Sequence, residues 1–148
     1  MSNSINWAHR NFCFYDRGME IAKILVVDDH HDAADTTADL FRMSGPCEAR
    51  VAYNGKEAVE LARSFRPDVV IMDINMPEKD GIEVLKEFNE RGYVCPVIVF
   101  SSYDDIKFIK EVLQLGAKGY LTKQSAGEHL MEAITTVYNG EEFYSKSV

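Results

Sequence analysis

The sequence is poor in cysteine. Its 148 residues include three, Cys13, Cys47 and Cys95, which are odd in number, widely spaced and without a CxxC pair. Such spacing supports neither a disulfide framework nor a zinc site built from paired cysteines. We therefore expect free thiols in a reducing compartment.

Long apolar runs and an excess of positive charge are also missing. No apolar stretch approaches the ~18 residues that a membrane-spanning helix needs, and residues 1–20 contain no signal-peptide core. The 24 acidic residues outnumber the 16 basic ones, giving a net charge of -8. A nucleic-acid-binding surface needs clustered Lys and Arg. We expect a cytoplasmic domain that binds neither membranes nor nucleic acid directly.

Short apolar runs alternate regularly with amphipathic segments along the rest of the chain. This alternation predicts an α/β fold, a parallel sheet covered by helices on both faces. We expect one domain over 21–145, preceded by an N-terminal arm or leader at 1–20 that shows no periodicity. The predicted strands are 21–28, 47–53, 69–72, 97–100 and 119–122.

Polar residues follow four of these strands at their carboxyl ends. They are Asp28 and Asp29, Asp73, Ser101, and Lys123. Because the carboxyl ends of parallel strands meet at one edge of a sheet, we expect these residues to lie together. Three carboxylates favour Mg²⁺, and a lysine and a hydroxyl suit the oxygens of a phosphoryl group. The set predicts a phosphoryl-transfer site with an aspartate nucleophile.

Each of these residues also has an ordinary structural interpretation. Acidic residues and serines after a strand often cap helices or form turns, and a lysine there is commonly a surface residue. Their coincidence on four strands of one sheet favours the functional interpretation. His30 and His31 follow the acidic pair, where a metal-ligand role is conceivable, but they form no i, i+4 pair. We expect them at the rim of the site or in solvent.

Residues 22–145 resemble the receiver domain of two-component response regulators. The resemblance implies a doubly wound, flavodoxin-like (βα)5 fold with a five-stranded parallel sheet in the order 2-1-3-4-5. The motifs that carry it are Val26-Val27-Asp28-Asp29, Met72-Asp73-Ile74-Asn75-Met76-Pro77 with Asp80-Gly81, Val99-Phe100-Ser101-Ser102, and Gly119-Tyr120-Leu121-Thr122-Lys123.

The resemblance also implies how phosphoryl transfer would occur. Asp73 would accept the group from the phosphohistidine of a histidine kinase or phosphotransfer protein. Asp29 and Asp73, with the backbone carbonyl of Asn75, would ligate Mg²⁺, and Asp28 would act mostly through water. The activity would be regulatory, with at most Mg²⁺-dependent self-phosphorylation and self-dephosphorylation.

Further residues would respond to phosphorylation or control how long the phosphoryl group survives. By the same resemblance, Ser101 would be the switch hydroxyl and Tyr120 the aromatic residue that reorients with it. Lys123 would pair with Asp73 before transfer and with the phosphate afterwards. Asn75 and Tyr103 are best placed to control the access of the hydrolytic water.

One position departs from the common receiver pattern. Gln124 follows Lys123, where receivers usually carry a proline after a cis bond. A cis bond before a non-proline residue costs about 2.5–4 kcal/mol, so we expect a trans bond. This feature and the ending at 138–145 resemble the NarL/FixJ type, which usually continues into a DNA-binding domain that this chain lacks. An output partner or C-terminal effector domain, and a homodimer formed on phosphorylation, are the implied partners.

Two other classes of function are considered. A phosphatase of the haloacid-dehalogenase type needs a second aspartate two residues after the nucleophile, and Asn75 occupies that position. A pure interaction module that is never phosphorylated would not need the acidic residues at the strand ends.

Overall fold

The computed structural model describes residues 22–44, 47–74, 81–93, 95–101, 106–122 and 126–144. These residues form one parallel sheet and five helices. The strands are β1 (Ala22–Val27), β2 (Cys47–Ala52), β3 (Val69–Asp73), β4 (Val97–Ser101), β5 (Gly119–Thr122) and β6 (Phe143–Tyr144). The helices are α1 (His31–Ser44), α2 (Gly55–Phe65), α3 (Gly81–Arg91), α4 (Ile106–Gln114) and α5 (Ala126–Tyr138).

The strand order is β2-β1-β3-β4-β5-β6, and all neighbouring strands are parallel. The predicted fold class and the order 2-1-3-4-5 are therefore confirmed, with one further strand at the edge. Within the described ranges no helix is long and apolar enough to span a bilayer. The predicted arm at 1–20 and the departure at Gln124 lie outside the described residues.

The sheet separates two apolar layers because successive side chains of a strand point to opposite faces. In β1, Leu25 and Val27 pack toward α2, α3 and α4, whereas Ile24 and Val26 pack toward α1 and α5. This two-sided burial explains why the strands appear in the sequence as continuous apolar runs.

The central strand β3 is buried along its whole length. It pairs with β1 on one side and β4 on the other, and all five of its residues are buried. The last of them, Asp73, is 1% exposed. The fold thus places a carboxylate at the carboxyl end of a strand that is buried throughout.

The two described cysteines, Cys47 and Cys95, are free, as expected. Burial raises the pKa of each thiol to about 11. Both therefore remain protonated and weakly nucleophilic at neutral pH.

The edge strand β6 is the element that sequence periodicity did not predict. The Phe143 N–H donates to the carbonyl of Lys118 (3.0 Å), and Phe143 and Tyr144 lie in register with Gly119 and Tyr120. A Cβ atom on Gly119 would lie 3.1 Å from the Phe143 carbonyl oxygen and 3.0 Å from Cγ1 of Ile98. The absence of a side chain at Gly119 is what allows β6 to approach.

We predict that Gly119→Ala detaches β6 from the sheet. The new methyl group would be held between Ile98 in the core and a backbone carbonyl, and overpacking of this kind costs about 1–3 kcal/mol. Hydrogen exchange should show loss of protection of the Phe143 amide, together with a lower unfolding temperature. Lys118→Ala is the matched control, because its exposed side chain can be removed without changing the carbonyl that accepts from Phe143. Unchanged protection in Gly119→Ala would contradict the assignment.

Candidate functional site

Two adjacent strands bring the predicted carboxylates together. Val27 of β1 is in register with Met72 of β3. The next residues, Asp28 and Asp73, therefore lie at the same level along the two strands. The Asp28 N–H donates to the Ala52 carbonyl (3.0 Å), which extends the β1–β2 ladder to this residue. Asp28 is 5% exposed and Asp73 1% exposed. The predicted convergence of the acidic side chains is therefore present in the structure.

His30 lies over this acidic cluster. Its Nδ1 atom is 3.1 Å from an oxygen of Asp28, 3.3 Å from one of Asp29 and 3.9 Å from one of Asp73. One donor atom from each of the four residues lies within 4.8 Å of the others. The imidazole is 65% exposed, so it closes the cluster on the solvent side. This agrees with the expected rim position.

His31 has a different environment. Its ring stacks on Tyr53 with a centroid distance of 3.9 Å. The Tyr53 hydroxyl donates to Oδ1 of Asp35 (2.7 Å), and this hydrogen bond raises the pKa of the phenol. His31 therefore links the start of α1 to the end of β2 and is not among the clustered donors.

Asp29 carries the clearest sign that the cluster can hold a cation. Its Oδ1 atom is buried but accepts no hydrogen bond from the described residues. The 3.3 Å contact with Nδ1 of His30 is an electrostatic one, because its geometry does not satisfy a hydrogen bond. A buried carboxylate oxygen without a donor is costly. The donor set and this oxygen fit a divalent cation bound by hard oxygen ligands.

The carboxyl ends of β4 and β5 lie along the same edge of the sheet as those of β1 and β3. Asp73 is in register with Phe100, the Ile74 N–H donates to the Phe100 carbonyl (3.1 Å), and Ser101 is in register with Thr122. The backbone of Ser101 thus lies one residue beyond the level of Asp73. The Ser101 side chain and the whole of Asn75, Tyr103 and Lys123 lie outside the described residues.

Tyr120, the predicted switch aromatic, is fully buried. It packs in the layer that contains Ile109 and Val112 of α4, and its strand neighbour is Val99. Its position on β5 places it between the strand that ends at Ser101 and the edge strand β6. A change in the position of the Tyr120 side chain would therefore alter its packing against α4 and its contacts with the C-terminal segment.

Gly81 brings the start of α3 against the end of β3. Its N–H donates to the Ile74 carbonyl (3.0 Å), and a Cβ atom there would lie 2.8 Å from Cα of Ile74 and 3.2 Å from the Asp73 carbonyl oxygen. A distance under 3 Å to a backbone atom leaves no room for a side chain. The Asp80-Gly81 motif therefore has a packing reason, since glycine allows the chain to return beside Asp73.

Comparison with known proteins gives a consistent result. Residues 24–135 match the family model of the response regulator receiver domain. The transcriptional regulatory protein DegU of Brevibacillus brevis is 34% identical over 119 residues, covering 80% of this chain and 50% of the relative. The nitrate/nitrite response regulator protein NarL of Escherichia coli K12 is 32% identical over 130 residues, covering 87% and 60%. The chain thus spans about half the length of the first of these relatives.

Solved structures show the same likeness. A LuxR-family two-component response regulator from Aurantimonas sp. SI85-9A1 superposes with a TM-score of 0.81 and 27% identity, covering 86% of this chain and 92% of that one. The receiver domain of the Francisella response regulator 1452 gives a TM-score of 0.74 and 32% identity, covering 80% and 97%.

We predict that Asp29→Asn stabilises the cation-free protein. The substitution removes one of three clustered negative charges, and about 1 kcal/mol corresponds to a rise of about 2–4 °C in a domain of this size. Calorimetric unfolding in a chelator would measure the rise. The further stabilisation on adding Mg²⁺ should shrink in the same variant.

Asp32→Asn is the control, because this exposed acid in the first turn of α1 interacts favourably with the helix dipole. It should leave the midpoint unchanged or lower it. A lower midpoint for Asp29→Asn in chelator would show that repulsion among the carboxylates is not significant.

Proposed function

The chain belongs to the response regulator receiver family, and on this premise we propose that Asp73 accepts a phosphoryl group and thereby switches an output surface. The observation that carries the proposal is the position of the Asp73 carboxylate. It is 1% exposed, lies at the end of the central strand, and shares a cluster of donors within 4.8 Å with Asp28, Asp29 and His30. The proposed domain extends over 21–145.

The acidic cluster is also the proposed Mg²⁺ site. Asp29 and Asp73, with the backbone carbonyl of Asn75, would hold the cation, and Asp28 would act mostly through water. When bound, Mg²⁺ supplies positive charge that lets an anionic phosphoryl group approach three carboxylates. The unsatisfied Oδ1 of Asp29 supports this assignment.

In the transfer step an oxygen of Asp73 attacks the phosphorus of a phosphohistidine in line with the P–N bond. The new O–P bond forms as the P–N bond breaks, and the imidazole of the donor leaves and takes up a proton from solvent. Lys123 and Ser101 bind oxygens of the transferred group. Because Asp73 is recessed behind His30 at the rim, the donor must present its phosphoryl group end-on.

Phosphorylation changes the charge at the strand ends and so shifts a conformational equilibrium. The phosphoryl group carries a charge of about −1.5 to −2 and replaces the −1 of the Asp73 carboxylate, so the site gains about −0.5 to −1. Ser101 ends β4 and Lys123 follows β5, so binding this charge would favour one arrangement of these two strand ends. Tyr120 lies between them and α4, and we propose that it transmits the change to that surface.

The partners follow from the same proposal. The phosphoryl donor is a histidine kinase or a phosphotransfer protein in the cytoplasm, where reducing conditions suit the free thiols. The relatives named above are called transcriptional regulators or response regulators, and this chain spans about half to three fifths of their length. We propose that it serves as a regulatory domain for an effector beyond residue 145 and dimerises on phosphorylation. Direct binding of nucleic acid is not a role of this domain.

Acetyl phosphate with Mg²⁺ should add one phosphoryl group to the wild-type chain, and Asp73→Asn should abolish the addition. The amide of Asn is a poor nucleophile, so the loss should be complete within the detection limit of intact-mass spectrometry. Asp39→Asn, an exposed residue of α1 paired with Arg42, is the control and should be labelled normally. Mapping of the wild-type adduct to another residue would refute the proposal, and a chelator should prevent labelling.

The lifetime of the phosphorylated state should depend on Tyr103. Hydrolysis needs a water in line with the phosphorus, and a phenol with a pKa near ~10 cannot readily take its proton. Asn75 can hydrogen-bond a water but is also a poor base. We expect slow self-dephosphorylation in the wild type and faster decay in Tyr103→Glu, followed as loss of the phosphorylated mass with time. Tyr103→Phe is the matched control and should decay slowly. Equal or slower decay in Tyr103→Glu would exclude this role.

A further inference from the structure

We infer that His30 is a metal ligand of the acidic cluster, and that its nitrogen makes the site prefer a borderline transition-metal ion such as Co²⁺ over Mg²⁺. The inference rests on the proposed function, because it concerns the same cation site. It goes beyond that function by assigning a fourth donor and a metal preference to this chain.

The distances around Nδ1 of His30 are those between ligands of one ion. Two ligands at about 2.1 Å from an ion lie about 3 Å apart at right angles and about 4.2 Å apart when opposite. Nδ1 lies 3.1, 3.3 and 3.9 Å from oxygens of Asp28, Asp29 and Asp73. All three distances fall in the range between adjacent and opposite ligands. A small shift of the four side chains would therefore place them around one ion.

The backbone holds the imidazole in this position. The His30 N–H donates to Oδ1 of Asp28 (2.9 Å), which fixes the chain between β1 and α1. Nδ1, the ring nitrogen nearer the backbone, is the one that faces the carboxylates. The side chain is 65% exposed, and this position at the surface leaves the ring room to turn toward an ion.

The hydrogen bonds of His30 do not satisfy every buried carboxylate oxygen of the cluster. Nδ1 lies 3.1 Å from Oδ1 of Asp28 with acceptable hydrogen-bond geometry, but the contact with Oδ1 of Asp29 fails this test. The Asp29 oxygen remains buried without a donor among the described residues. An ion between the four side chains would contact this oxygen and His30 at once.

A nitrogen donor changes which metal the site favours. Carboxylates, carbonyls and water suit Mg²⁺, which dehydrates reluctantly, whereas imidazole suits first-row transition metals. For sites of mixed N and O donors the affinity rises from Mn²⁺ to Co²⁺ and Ni²⁺. The three aspartates alone would give a site of Mg²⁺ type. The imidazole of His30 increases the affinity for Co²⁺ more than the affinity for Mg²⁺.

A different role for His30 predicts the opposite effect of its removal. A protonated imidazole at the same distances would act as a counter-ion to the carboxylates and compete with any metal. Its removal would then strengthen the binding of Mg²⁺ and Co²⁺ alike. Removal of a ligand weakens Co²⁺ selectively. The direction of the change in affinity therefore distinguishes the two roles.

The test is titration calorimetry of the full chain and of His30→Gln with MgCl2 and with CoCl2, in a mildly alkaline buffer where free imidazole is neutral. The wild type should bind Co²⁺ at least about tenfold more tightly than Mg²⁺. His30→Gln should lose about tenfold or more in Co²⁺ affinity, while its Mg²⁺ affinity changes by less than about threefold. His31→Gln, the adjacent histidine stacked on Tyr53, is the matched control and should bind both metals as the wild type does.

A spectroscopic readout identifies the ligand directly. Pulsed EPR of the Mn²⁺-loaded protein should show coupling to an imidazole nitrogen in the wild type and in His31→Gln, and none in His30→Gln. An unchanged Co²⁺ affinity in His30→Gln, tighter binding of both metals, or no nitrogen coupling in the wild type would overturn the inference.

Failure of this inference and failure of the proposed function give different results. Phosphorylation of His30→Gln by acetyl phosphate in Mg²⁺ should continue, because the three aspartates and Asn75 remain. If His30 proves not to be a ligand while Mg²⁺-dependent labelling persists, the inference fails and the function stands. If the wild type binds no divalent cation and is not labelled, both fail.

Discussion

Repulsion among Asp28, Asp29 and Asp73 is the constraint on which the site depends. Three carboxylates share one end of the sheet with donor atoms less than 5 Å apart, since all four candidate donors lie within 4.8 Å. Flexible loops would relax such a cluster by moving apart. Here β1 and β3 are adjacent, β3 is buried throughout, and Gly81 allows α3 to pack against its end. The rigid core therefore holds this negative charge in place.

The fold and the acidic cluster could be predicted because they depend on strong, local signals. Strands buried on both faces require continuous apolar runs, and parallel strands bring their carboxyl ends together whatever the lengths of the connections. Asp28, Asp29 and Asp73 were found in this way, and the strand order followed from a family resemblance. Gly81 belongs to one of the motifs that carry the resemblance, and the structure supplies the steric reason for a glycine there.

What the sequence did not predict depends on contacts between distant residues. β6 has two residues, too few for any periodicity, and its place depends on the missing side chain of Gly119. The pattern predicted a rim position for His30, but the distances from Nδ1 to three carboxylates depend on a rotamer and on the hydrogen bond from its own N–H. The stacking of His31 on Tyr53 likewise joins residues that are 22 positions apart in the chain.

Under the proposed function, a cation and a lysine would together balance the charges at the site. The three aspartates carry about −3 together. Phosphorylation would replace the carboxylate charge of Asp73 with a phosphoryl charge of about −1.5 to −2, so the net addition would be about −0.5 to −1. A divalent cation with one lysine would supply +3, so the unphosphorylated site would be close to neutral and the phosphorylated one would carry a net charge of about −0.5 to −1. Under the proposed function, this added charge would attract Ser101 and Lys123 at the ends of β4 and β5. Because Tyr120 of β5 packs in the same layer as α4, the proposed switch would convert a change of charge at one edge into a change of packing on the surface. A nitrogen ligand from His30 adds no charge, so it can change the metal preference while leaving this balance intact.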